Sequence, residues 1–268
     1  MWHIALNTLR EAVRQKLCKS LVLLASLVVM GAHLLRDFHF GSPELKFIAE
    51  LGDGALAGFG AVLTVVATAQ FFCGELERRT IQTLLAKPVT RAEFVLGKFA
   101  GVALLTGGFC VLLTGLLAAV LWVRENALMQ ELSIPLAGGR LVNYGHLVTG
   151  GMLQWLQLLV LGSFTLLVAS YAQSQLFTVT TGFLLWVACH LQPLAQVAAV
   201  RAGATVGGML MGGIARMLPN FQVFGLADVM GASELPPWGQ LAQVALYAVA
   251  YAVAACGLAA FCFGRREI

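Results

Sequence analysis

Between residues 141 and 200 the chain carries no Asp, Glu, Lys or Arg. About 20 apolar residues cross the hydrocarbon core of a bilayer as a helix, so this run is long enough for two crossings. Backbone groups in lipid must be satisfied within the spanning structure, which leaves helices or closed barrels. The alternating apolar–polar pattern of barrel strands is absent. Of the 268 residues, 59% are hydrophobic and 11% charged, which excludes an ordinary soluble domain. The expected fold class is an all-α, polytopic membrane protein with one transmembrane domain over residues 1–268.

Six spans are expected, at 20–35, 54–74, 99–123, 147–171, 176–197 and 241–264. The long uncharged run is divided at Ala172-Gln-Ser-Gln175. Lys19 and Arg36 can snorkel from the ends of the first span. Ahead of it, Trp2, Leu6, Leu9, Val13 and Leu17 recur at helical spacing, giving an interfacial amphipathic helix over 2–17. His3, Asn7, Arg10 and Arg14 fall on another face. Residues 202–218 form an apolar, glycine-rich piece too short to cross, and a re-entrant or interfacial hairpin is expected there. No cleavable signal peptide is expected.

The positive-inside rule orients the chain. With the N-terminus in the cytoplasm, Arg10, Arg14, Lys16, Lys19, Arg78, Arg79, Lys87, Arg91, Lys98, Arg265 and Arg266 lie inside. Six of the 17 basic residues remain outside. Both termini are therefore expected in the cytoplasm, with the chain in the inner membrane. The six cysteines lie in or beside apolar runs without C-x-x-C spacing, so neither a zinc site nor a disulfide framework is indicated.

The most densely charged segment, 75–98, sits between the second and third spans. It reads Glu75-Leu-Glu-Arg-Arg-Thr-Ile-Gln-Thr-Leu-Leu-Ala-Lys-Pro-Val-Thr-Arg-Ala-Glu-Phe-Val-Leu-Gly-Lys98. Thr80 can cap a short helix whose Ile81, Leu84 and Leu85 share one face. Pro88 disfavours helix at Lys87 and should end it. Thr90-Arg-Ala-Glu93 is then a capping box opening the third span, from which Phe94 and Leu96 continue into lipid. The product is a helix–break–helix elbow. On the residues alone it serves equally as a partner's grip or as a solvated loop with routine positive-inside charge.

This run closely resembles the cytoplasmic signature of type-2 ATP-binding-cassette (ABC) exporter permeases, and is similar to those of the copper-enzyme-maturation type. The matching positions are Glu77, Thr80, Leu84-Leu85, Pro88, Arg91 and Gly97-Lys98. Many members carry Gly where this chain has Arg79. The motif covers residues 75–101, while the order of helices matches over the whole chain. The resemblance implies that 75–98 is a coupling segment seated in a cleft of a separate ATPase subunit. Glu77, Arg79, Thr80, Leu84, Leu85, Pro88, Arg91 and Lys98 would then be its coupling residues. It further implies a dimer with a second copy or a paralogue, and ATP with Mg on the partner ATPase. No cofactor is expected in this chain.

The remaining motifs agree. No G-x-x-x-x-G-K-[ST], H-E-x-x-H or G-x-S-x-G occurs, so no catalytic or metal-binding residue is assigned. Every Asp and Glu falls at a span end or in a loop, unlike the buried carboxylates of ion-coupled carriers. Thr64, Thr68, Gln70, Gln154 and Gln157 are the candidates for lining a pathway. The same residues suit hydrogen bonds between helices. The expected function is the permease subunit of an ATP-driven exporter. A membrane scaffold for metalloenzyme maturation or assembly is the alternative. The substrate is not written in these residues.

Overall fold

A computed structural model describes residues 2–32, 44–77, 90–131, 142–172, 174–202, 206–225 and 236–265. They form α1 (Trp2–Arg14), α2 (Lys16–Gly31), α3 (Glu44–Glu77), α4 (Arg91–Glu131), α5 (Tyr144–Tyr171), α6 (Gln175–Ala202), α7 (Val206–Met217), a 3₁₀ turn (Phe221–Val223) and α8 (Trp238–Arg265). Among the described residues there is no strand. Helices α3, α4, α5, α6 and α8 are each long and apolar enough to cross a membrane. The chain is an all-α, multi-pass membrane protein. Helix α2 has 16 residues, about 24 Å at 1.5 Å per residue, and the expected first span 20–35 continues beyond the described residues.

Helix α5 is the hub, packing against α3, α4, α6 and α8. Close helix approach in lipid depends on small residues. A Cβ at Gly60 of α3 would lie 2.8 Å from Leu158 Cδ1 of α5, and one at Gly182 of α6 would lie 2.7 Å from Val65 Cγ1 of α3. A side chain at either glycine would force Leu158 or Val65 to shift. Hydroxyls inside the bundle are satisfied on their own helices. Thr64, Thr68 and Thr165 donate to the carbonyls of Gly60, Thr64 and Leu161 at 2.7–2.8 Å.

The third span was expected at 99–123, with Arg124 and Glu125 in a loop. Instead α4 runs for 41 residues, about 60 Å, and carries both charges inside it. At this far end, opposite segment 75–98, Arg124 Nε and Nη2 donate to the Glu44 carboxylate at 2.5 and 3.0 Å. The two side chains are only 7% and 17% exposed. Glu125 accepts from the Val142 backbone N–H at 3.1 Å and the Tyr144 hydroxyl at 2.6 Å. Three helix ends, those of α3, α4 and α5, are thus tied by charge-assisted hydrogen bonds.

Helix α7 folds back on α6, where Gln192 Nε2 donates to the Ala215 carbonyl at 2.8 Å. The 3₁₀ turn is capped by Asn220, which accepts from the Gln222 N–H. Its Asn220 N–H donates to the Tyr247 hydroxyl of α8 at 2.8 Å. Helix α1 packs on α4, with Ala5, Thr8 and Ala12 as its buried face. Of the apolar stripe expected on α1, Trp2 and Val13 are exposed, while Leu9 packs against the core.

Removing one partner of a buried ion pair costs about 3–5 kcal/mol, whereas an apolar replacement of both is often neutral. Arg124→Met alone should therefore lower the thermal unfolding midpoint of detergent-solubilised protein. Arg124→Met with Glu44→Met should recover most of that loss in the same assay.

Candidate functional site

Segment 75–98, the expected coupling segment, takes in the end of α3 at Glu77 and the start of α4 at Arg91. Arg79, Thr80, Leu84, Leu85 and Pro88 lie outside the described residues, as do the side chains of Glu77 and Arg91. The exit from the segment is built as its residues dictate. Thr90 Oγ1 accepts from the Glu93 N–H at 3.2 Å, and Glu93 Oε2 accepts from the Thr90 N–H at 2.9 Å. This reciprocal pair satisfies two donors that the first turn of α4 would otherwise leave open. The Phe94 N–H then takes the Thr90 carbonyl at 3.1 Å, and the helix runs on without interruption.

Directly after this cap, Phe94 turns inward rather than into lipid. It meets Phe72 of α3 at 5.9 Å and Phe263 of α8 at 5.9 Å between ring centroids. Phe72 and Phe263 close the triangle edge-on at 5.4 Å. All three are buried, in a cluster with Cys73, Val95, Leu166, Ala169, Cys256 and Ala259. Aromatic pairs of this geometry add about 0.5–1.5 kcal/mol each beyond their burial. The end of α3 and the start of α4 are therefore fastened to each other and to the end of α8. Periodicity places no aromatic triangle of this kind. The only sequence signal was three Phe residues, each near the charged end of an apolar run.

Lys98 was expected to face the ATPase. It is 3% exposed, with Nζ 5.7 Å above the Phe94 ring. Its side chain thus lies within cation–π distance of the aromatic cluster. The pathway candidates are likewise redirected. Thr64 and Thr68 are buried with their hydroxyls spent on α3 itself, and the Thr64 methyl abuts Gly162 of α5. Gln154 and Gln157 are buried on α5, the latter 3.5 Å from His190 of α6 through Nε2 atoms. Gln70 is half-buried. Thr64, Thr68, Gln154 and Gln157 are thus all buried inside the bundle, and of the four Gln157 approaches a polar group on another helix. Among the described residues no three His, Cys, Asp or Glu side chains gather as a metal site.

The family model of the ABC-2 family transporter protein matches residues 2–268. This chain belongs to the ABC-2 transporter family. It is thus the membrane-spanning permease subunit of an ABC transporter, a type of subunit whose ATPase activity resides in a partner protein. Among curated proteins none matches it. In this permease the capped start of α4 and the Phe72–Phe94–Phe263 cluster are the structural frame around the stretch that carries the family signature.

Thr90→Ala removes one half of the capping box, a loss of about 1 kcal/mol for a helix N-cap. Amide exchange in residues 91–94 should accelerate by roughly fivefold, while exchange in the middle of α5 stays unchanged.

Proposed function

We propose that this permease is an exporter subunit driven from its 75–98 segment. Two copies, or one copy and a paralogue, enclose the pathway, and each binds an ATPase subunit that carries ATP and Mg. Both termini and the coupling segment face the cytoplasm, and the protein resides in the inner membrane. A sixth crossing, by α2 and the residues after it, completes the layout.

The reading is carried by one observation: the helices on either side of the signature segment converge on a common aromatic cluster. A push on the segment acts on α3 and α4 together, and through Phe263 on α8. Leu84, Leu85 and Pro88 would shape the seat in the ATPase. Glu77, Arg79, Thr80 and Arg91 would fix docking, and Lys98 would stiffen the frame from within. The inner ends of α3, α4 and α8 then shift as one body between packed, bistable arrangements. Supporting a second copy, α6 is the least covered of the long helices. Leu184, Leu194 and Val200 stand exposed along it.

Interface hot spots contribute about 2 kcal/mol or more each. Arg91→Glu combined with Leu84→Asp should lower permease-stimulated ATPase activity of the purified complex by at least about tenfold. The variant permease should keep its elution volume and helicity. Undiminished stimulation would remove the coupling role from this segment.

A further inference from the structure

We propose that the elbow between α1 and α2 binds the phosphate headgroup of an anionic phospholipid. The chain turns there at Gln15, whose φ of −68° and ψ of 133° are extended and end α1 without proline or glycine. The turn leaves a recess of about 960 Å³, lined among others by Asn7, Arg10, Glu11, Arg14 and Gln15. Arg10 and Arg14 are one helical turn apart, and Lys16 and Lys19 follow on the first turn of α2. All four are exposed. No ion pair involves any of the four among the described residues. Glu11 is the only acidic residue in 1–36, so the elbow carries a clear excess of positive charge.

The arrangement of α1 explains why this charge stays uncompensated. At 100° per residue, Arg10 and Arg14 lie roughly 180° around the helix from the buried Ala5–Thr8–Ala12 face. That face is pressed against α4 so closely that a Cβ at Gly101 would sit 2.6 Å from Thr8 Cβ. The cations are therefore held pointing away from the bundle. Roughly 90° from both faces runs the exposed apolar edge of Trp2 and Val13. An apolar edge beside a basic one on a helix at the membrane surface fits a lipid: acyl chain against the first, phosphate against the second. Charge complementarity selects an anionic headgroup over a zwitterionic one. This needs only α1 and a bilayer, and it stands or falls separately from the ATPase reading.

The test is lipid selectivity of the full-length permease in phosphatidylcholine nanodiscs doped with spin-labelled phosphatidylglycerol or phosphatidylcholine. The motionally restricted fraction of each label is the readout. Wild type should favour phosphatidylglycerol, and Arg10→Gln with Arg14→Gln should weaken that preference on the order of tenfold. Arg10→Lys with Arg14→Lys should retain it. Lys46→Gln, an exposed cation at the far end, should leave it unchanged. In wild type and in the Lys variant the preference should fall as salt is raised, because exposed ion pairing is screened. A preference that is absent, salt-independent, or unaltered in the Gln variant overturns the proposal. So does loss of ATPase-subunit co-purification in the Gln variant with lipid preference intact, which would assign the elbow to a protein partner.

Discussion

Leaving a backbone or charged group unpaired in an apolar bundle is costly, so its partner is best supplied by the bundle itself. That requirement shapes the architecture at each scale. It makes the spans helical, and it turns Thr64, Thr68 and Thr165 back onto their own carbonyls. It lets Arg124 and Glu125 enter a helix only because Glu44, Val142 and Tyr144 meet them. Where hydroxyls turn back onto their own helices, close approach of neighbours is left to shape. Glycines such as Gly60 and Gly182 admit a neighbour's side chain where their own is missing, and α5 becomes the common wall of four other helices.

The two ends of the bundle are fastened by different physics. At the far end the ties are directional hydrogen bonds to charged groups, which lose energy steeply with misalignment. At the end next to segment 75–98 the tie is an aromatic triangle, whose contacts tolerate rotation and sliding better than hydrogen bonds do. In the proposed cycle this contrast has a use. The α3, α4 and α8 ends can tilt together under load, while the far end acts as the pivot. Lys98 sits at the base of α4, where its buried charge is placed over Phe94.

Class, helix content and the family were legible in the residues because they rest on composition and on local spacing. The capping box is the plainest case: Thr90 and Glu93 find each other three residues apart, and nothing distant is needed. What escaped the sequence was long-range. Phe72, Phe94 and Phe263 are separated along the chain and meet only once α3, α4 and α8 are packed. Arg124 and Glu125 read as loop charges because a charged pair after an apolar run ordinarily marks its end. Their burial depends on Glu44, whose position no local pattern discloses. For Thr64 and Gln157 the residues left both uses open, since a polar side chain in a span serves as well between or within helices as along a pathway.

The proposed coupling requires the 75–98 segment to be reachable from the cytoplasm, where an ATPase can grip it. All six native cysteines are free, and five of them are buried, so a cysteine introduced at Gln82 would be read against a low background. The direct measurement is labelling of Gln82→Cys by a membrane-impermeant maleimide in vesicles of defined sidedness. Reaction in inside-out vesicles, with protection in intact right-side-out vesicles, is the predicted result. Reaction in intact right-side-out vesicles would put the segment on the opposite face of the membrane and contradict the account.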